Sequence, residues 1–287
     1  MTEIVRTTVR AGGHAIAYQQ AGPADGPVVI LLHGLASDAD TWDKAIGRLA
    51  ERGLRVLAVD LLGHGASDKP DSTYLLTDFA ESLAAFMDAL QIPSATLCGH
   101  SFGGAIAMFF GTGHADRVDR VVLVSAGGLG REVHPVLRAA ALRVAPPLLR
   151  VAMSPRMRRL YARPGLHKVL RLTPENVINL RRAGRALGTM EGQAAFFASV
   201  RGVIAPSGQR AASEEMRTFA EKVPMLLIWS EDDPVIPLAH AQAHAARATP
   251  SCRLVVFPSR GHEPHRRNAE RFAEEVAAFV LSPGPAR

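Results

Sequence analysis

The sequence predicts an α/β architecture: a mostly parallel sheet of eight strands with helices on both faces, interrupted once by a helical insertion. Three observations carry this expectation. Short apolar runs alternate with longer segments of helical periodicity. The runs are apolar at nearly every position rather than at every second one, as strands buried on both faces must be. And the middle of the chain differs sharply in charge from its flanks.

From the N-terminus, Val5 to Gln20, with Gly12-Gly13 at its centre, reads as a hairpin feeding the sheet edge. The runs that follow are Val28 to Leu32, Leu54 to Val59, Ala95 to Cys98, Arg120 to Ser125, Met225 to Trp229 and Arg253 to Phe257. Between them the spacing predicts helices over Thr41 to Glu51, Thr77 to Leu90, Phe102 to Thr112, Leu238 to Ala248 and Asn268 to Leu281. In the last, Phe272, Val276, Phe279 and Val280 share one face. Alternation over this many units implies a parallel sheet, and right-handed crossovers place the C-terminal ends of its strands on one edge, where ligands bind.

Charge marks the insertion. Between Arg131 and Arg210 there are 15 basic residues against 3 acidic ones, so this stretch carries a surplus of 12 while the whole chain carries +6. Pro135, Pro146-Pro147, Pro155, Pro164 and Pro174 divide it into short helices. The expected division is therefore a core of residues 1–130 and 211–287, with residues 131–210 inserted after the sixth strand.

At 287 residues and 47% apolar content the chain suffices for one large core. No apolar run approaches the roughly 20 residues a bilayer demands. Met1 to Arg10, with Glu3, Arg6 and Arg10, has no apolar stretch of the signal-peptide kind. Cys98 and Cys252 both adjoin strands and read as buried thiols. The expectation is a cytoplasmic protein. No set of His, Cys, Asp and Glu has metal-ligand spacing, so neither a metal nor another cofactor is expected.

The chemistry centres on Gly99-His100-Ser101-Phe102-Gly103, which falls between a strand and a helix. In that context glycines let strand and helix approach closely, and a strained turn lifts the serine hydroxyl to the ligand-binding edge. The helix beginning at Phe102 aims its free N–H groups at the same edge. A serine hydroxyl is a poor nucleophile alone and needs a base and a group to orient that base. Both follow in order: Trp229-Ser230-Glu231-Asp232-Asp233-Pro234-Val235-Ile236-Pro237 after one strand, and Gly261-His262-Glu263-Pro264-His265 after the last.

With these motifs the chain resembles the α/β-hydrolase fold family, in the serine hydrolase branch with a helical cap. The resemblance extends to His33-Gly34 and to Asp60-Leu61-Leu62-Gly63-His64-Gly65-Ala66-Ser67. It implies Ser101 as nucleophile, His262 as base and Asp233 as the orienting acid, with the backbone N–H groups of Leu35 and Phe102 receiving the oxyanion. The family spacing selects Asp233, four residues before Pro237, over Asp232; Ser230 stands where the family usually has glycine. His265 is the rival to His262 and lacks a preceding glycine. His33 and His64 are read as orienting loops and His100 as packing beside the nucleophile. From position alone, His33, Gly34, His100, Leu129, Val136, Leu137, Phe196 and Phe197 are the candidates for lining the substrate pocket.

What the resemblance implies about the reaction is hydrolysis of a small-molecule carboxylic ester or related acyl compound. Carbon–carbon bond hydrolysis of a meta-cleavage-type diketone is kept open, since Val124 to Gly130 resembles the glycine-rich lead into the cap of those enzymes. Cofactor-free perhydrolase or haloperoxidase activity, and a non-catalytic ligand receptor on the same fold, also stay open. The basic surplus has three readings: a solvated surface in a chain with 29 Arg and 4 Lys, attraction of an acidic substrate or acidic carrier protein, or docking at an anionic membrane surface near Leu148-Leu149. Nucleic acid is disfavoured because no binding motif accompanies the charge. Monomer and homodimer are both open.

Overall fold

The computed structural model describes residues 2–147, 184–210, 212–247 and 252–283. Its main sheet has eight strands in the order β1 (Val5–Ala11), β2 (His14–Ala21), β4 (Arg55–Val59), β3 (Val28–Leu32), β5 (Ala95–His100), β6 (Val118–Val124), β9 (Met225–Asp232) and β10 (Cys252–Arg260). The β1–β2 hairpin is antiparallel and joins β4 antiparallel; every pairing from β4 to β10 is parallel. The apolar runs divide by parity, as a pleated strand requires. Ile30 and Leu32 face one core with α2 (Leu76–Ala89) and α3 (Phe102–Gly113), whereas Val29 and Leu31 face the other with α1 (Ile46–Ala50) and the C-terminal helix Ala269–Leu281.

The strand order reverses direction at β3: β4 lies on one side of it and β5 on the other. Such a reversal opens a crevice at the C-terminal ends of the two central strands. Here those ends run into His33 and Ser101.

Between β6 and β9 the chain leaves the sheet through α4 (Pro135–Ala140), α5 (Met190–Val203), a hairpin of β7 (Ile204–Ala205) and β8 (Gly208–Gln209), and α6 (Glu214–Lys222). The expected insertion was entirely helical; the hairpin is the difference. It forms because Gly208 has a positive φ of 128° and passes so close to Arg131 that a Cβ would lie 2.3 Å from the Arg131 carbonyl oxygen. Gln209 then ties both roots of the insertion together. Its N–H donates to Arg131 O (2.8 Å), its Nε2 to Glu132 O (2.8 Å), and its Oε1 accepts from the Gly128 N–H (3.0 Å). Leu148 and Leu149 lie outside the described residues.

Two helix expectations are shortened. Thr41 to Glu51 is a 3-10 turn, Ala39–Trp42, followed by α1, because Trp42 turns inward to stack near His265 (4.4 Å) and Phe272 (6.0 Å). The helix after Pro237, α7, spans Leu238–Ala245. The short helix α8 (Pro264–Arg267) precedes α9 (Ala269–Leu281). Cys98 and Cys252 are free thiols. No helix among the described residues is long and apolar enough to cross a membrane.

Glycine geometry gives a paired test. In Gly103→Ala the new Cβ would lie 2.3 Å from the Leu32 carbonyl oxygen, a backbone atom with nowhere to go. In Gly47→Ala, within α1, nothing lies within 4 Å. Urea unfolding should show Gly103→Ala destabilised by several kcal/mol or unfolded, at roughly the upper end of overpacking effects. Gly47→Ala should be stabilised by about 0.5–1 kcal/mol. Equal stability of the two variants would contradict the close approach of α3 to β3.

Candidate active site

Ser101 occupies the turn between β5 and α3 with φ 53° and ψ −113°, a conformation a non-glycine residue adopts only under constraint. The constraint comes from backbone on both sides. A Cβ on Gly99 would lie 2.3 Å from Gly103 O, and one on Gly104 would lie 2.4 Å from the Ala126 Cβ. The Ser101 N–H donates to Val124 O (2.9 Å), and its carbonyl accepts from the N–H groups of Gly104 (3.1 Å) and Gly127 (2.9 Å). The strained residue thus has its own polar backbone fully engaged.

His262 follows β10. Its Nδ1 lies 2.9 Å from Asp233 Oδ2 and 3.1 Å from Oδ1. The Asp233 side chain is wholly buried, that of His262 16% exposed. Asp233 Oδ1 also accepts from the N–H groups of Val235 (2.8 Å) and Ile236 (3.1 Å). Burial by itself would raise the Asp233 pKa, but the His262 hydrogen bond and charge and the Val235 N–H outweigh it and hold the carboxyl below its ordinary value. The Ser125 hydroxyl, buried at the end of β6, lowers it further while falling short of hydrogen-bond geometry. The indole N–H of Trp229 donates to Ile236 O (3.0 Å), clamping the loop that presents Asp233.

Asp232 points elsewhere. Its side chain is 62% exposed and pairs with Arg260 at 3.0 Å. His265 is fully buried beneath Trp42 and His100. Ser230, where the family usually has glycine, is buried with its hydroxyl 3.3 Å from Ser259 Oγ.

The Nε2 of His262 is buried and has no hydrogen-bond partner among the described residues. His262 lines a cavity of about 460 Å³ together with Ser101, Gly34, Leu35, His100 and His134. Ser101 and Leu35 also line a second, apolar cavity of about 200 Å³ that runs beneath Phe102, Leu137 and Ile236. The Phe102 N–H, first in α3, has no intrahelical acceptor, and neither it nor the Leu35 N–H donates a hydrogen bond among the described residues.

Of the expected pocket residues, Gly34 and His100 line the larger cavity, Val136 and Leu137 stand at its rim, and Leu137 also reaches the apolar one. The other four lie elsewhere. His33 is sealed off: its Nδ1 donates to Gly34 O (2.8 Å) and its Nε2 accepts from the Leu61 N–H (3.1 Å), so it fixes the loop from behind. Phe196 and Phe197 pack edge to face at 5.2 Å and line neither cavity. Leu129 lines a separate cavity described below. Sequence reasoning missed Ser37, whose buried hydroxyl has no partner among the described residues, and His134, both on the larger cavity. No motif singles them out. No cluster of potential metal ligands occurs among the described residues.

Around the site three histidines are held neutral. Burial pushes the His33 pKa down to about 4. It pushes that of His64 to about 3, with His33 adding to the effect. Burial also takes His100 to about 3, reinforced by His262, to whose carbonyl the His100 Nε2 donates at 2.8 Å. Above pH 6.5 these rings are neutral folded and unfolded, so they contribute no pH dependence. Below it the unfolded chain binds protons that the folded protein refuses, and stability falls until the folded values near 3 to 4 are reached. Urea unfolding between pH 7 and 5 should therefore lose stability with a slope approaching three protons, about 1.4 kcal/mol per pH unit for each. His64→Asn should reduce the slope by about one proton. A flat profile would contradict the buried neutral rings.

The α/β hydrolase fold family model matches residues 27–268. A protein of Mycobacterium tuberculosis with no assigned activity is 33% identical over 96% of this chain and 80% of its own length. A bifunctional esterase/perhydrolase of Acinetobacter calcoaceticus is 28% identical over 94% of this chain and 97% of its own. Among solved structures, a meta-cleavage product hydrolase of Pseudomonas fluorescens superposes with a TM-score of 0.73 at 25% identity, covering 95% of this chain and 96% of that one. Family model, sequence and sheet agree: the chain belongs to the α/β hydrolase fold family.

Proposed function

We propose that the protein is a serine hydrolase of small carboxylic esters or related acyl compounds, acting through an acyl-enzyme. In this reading Ser101 Oγ attacks the acyl carbon, His262 Nε2 takes its proton and later returns one to the leaving group, and Asp233 fixes the histidine tautomer and stabilises the imidazolium. The N–H groups of Leu35 and Phe102 meet the oxyanion, aided by the N-terminal end of α3. The segment 131–210 acts as the cap over the site. The free thiols fit a reducing, cytoplasmic setting.

One observation carries the proposal. His262, held at Nδ1 by a buried carboxylate and with its Nε2 unpartnered among the described residues, lines one cavity with a strained serine. With Nδ1 engaged by Asp233, Nε2 is the ring nitrogen left to accept the Ser101 proton, which is what activation of a serine hydroxyl requires. Carbon–carbon bond hydrolysis of a diketone is the second reading, supported by the likeness to the Pseudomonas fluorescens enzyme; perhydrolysis draws support from the Acinetobacter relative.

Fluorophosphonate labelling followed by rates on p-nitrophenyl esters of increasing chain length tests the proposal. Labelling should map to Ser101 and vanish in Ser101→Ala, whose fold should persist. Asp233→Asn should lower kcat by roughly 10⁴-fold, as loss of a tautomer-fixing acid does, while Asp232→Asn stays within a few-fold. Strong labelling with negligible ester turnover would shift the assignment to carbon–carbon cleavage; no labelling would remove Ser101 from the mechanism.

A further inference from the structure

The apolar cavity at Ser101 ends at a wall formed by Gly128, Ala212 and Met216, and the same three residues line the near side of another cavity of about 310 Å³. The two chambers are therefore back to back. Gly128 has φ +93° and no side chain, and a Cβ built there would still leave 3.8 Å to Met216 Cε, so the thioether supplies most of the bulk in the partition. Its backbone cannot move far: the Met216 N–H is capped by Ser213 Oγ at 3.3 Å, and Phe219, one turn on, sits where Gly111 has no Cβ. Its side chain can, because methionine is unbranched with three rotatable bonds and re-packs at low cost.

The chambers differ in chemistry. The inner one is walled mainly by Phe102, Phe109, Leu137 and Ile236; its one arginine, Arg210, donates to the Arg201 carbonyl at 3.4 Å. The outer one keeps an apolar floor of Met108 and Leu129 but adds Arg131, Arg217 and Arg247, against one carboxylate, Glu221. Arg217 is already committed to Glu214 (2.7 Å) and to the Ala212 carbonyl (2.8 Å), and Arg247 Nε donates to the Ala243 carbonyl (3.0 Å), so the Arg131 guanidinium and the terminal nitrogens of Arg247 are the groups placed to meet a ligand. Guanidinium groups at the end of an apolar passage select an anion carried on a hydrocarbon chain.

We propose that Met216 is the specificity-determining partition of a two-chamber acyl site, and that the acyl groups it passes are long chains ending in an anion such as a carboxylate. This rests on the ester-hydrolase reading above, in which the acyl group of the substrate occupies the apolar side of Ser101. Chains that fit the inner chamber stop at the thioether; longer ones turn it aside and place their far end beside Arg131 and Arg247. Leu129, which position alone put at the substrate, then contacts the far part of the chain.

The test compares two probe series, methyl esters of monocarboxylic acids and monomethyl esters of α,ω-dicarboxylic acids, from six to fourteen carbons. Hydrolysis is measured in the wild type, Met216→Ala and Met216→Phe. Binding is measured by calorimetry in Ser101→Ala with and without Met216→Ala. The wild type should show a break in kcat/KM at the length of the inner chamber for methyl-ended chains. Met216→Ala should move the break up by at least two methylenes, with about fourfold gained per added methylene; Met216→Phe should not. Beyond the break, carboxylate-ended probes should be favoured at least fivefold, and Arg247→Gln should remove the preference. Identical length profiles in wild type and Met216→Ala would overturn the partition. Equal treatment of methyl and carboxylate ends at every length would overturn the anionic terminus. If no ester is hydrolysed but the Met216-dependent break persists in binding, the ester reading falls and the partition stands.

Discussion

The backbone of Ser101 is the constraint on which the rest depends. A non-glycine residue at positive φ costs about 1–3 kcal/mol and persists only where its surroundings over-determine it. Here they do. β5 and α3 meet at Gly99 and Gly103, α3 meets the end of β6 at Gly104, and hydrogen bonds from Ser101 reach Val124 and Gly127. The last of these matters beyond the turn, because Gly127 lies on the segment that leaves β6 for the insertion. The Ser101 carbonyl that completes the turn thus also accepts from the segment that leads into the insertion.

That root is doubly tied. Gln209 joins Gly128, Arg131 and Glu132 to the β7–β8 hairpin, and on the far side His240 Nε2 meets Glu132 at 2.6 Å. Gly130 makes the second contact feasible, since a Cβ there would lie 2.4 Å from the His240 ring. Residues 128–132 are thus tied to the β7–β8 hairpin on one side and to α7 on the other, while the His134 N–H donates to Val235 O (3.0 Å) in the loop that carries Asp233.

Much of this could be read from the sequence, for a physical reason. Strands buried on both faces leave unbroken apolar runs, and an elbow between strand and helix demands glycines at fixed offsets; both are local patterns. The order of serine, acids and histidine follows from topology, which right-handed crossovers nearly dictate. What escaped was non-local. Nothing in the string marks Gln209, because its three partners come from a segment some 80 residues earlier. The β7–β8 hairpin is two residues to a strand and made by one glycine against a distant carbonyl. His33 looked like a pocket residue because it adjoins Gly34, but the chain direction after β3 turns its ring inward, toward Leu61. Phe196 and Phe197 show the common outcome for aromatic pairs, which bury against each other before they meet a ligand.

In the proposed mechanism a single helix, α3, serves two tasks, and this limits how selectivity could vary. The N-terminal end of α3 supplies the Phe102 N–H, while Phe102, Ala105 and Phe109, three and then four residues apart, form one apolar wall of the inner chamber. Phe102 also packs edge to face with Phe79 at 5.1 Å, which fixes α3 against α2. Reshaping that wall would disturb the alignment of the N–H and the packing of two helices together. α6 is under no such double duty, because its contribution to the chamber is side chain rather than backbone. Under the proposed acyl-enzyme reading, selectivity is separable from the reacting geometry where the chamber wall is side chain from outside α3, at Met216 of α6 and at Leu137 of α4.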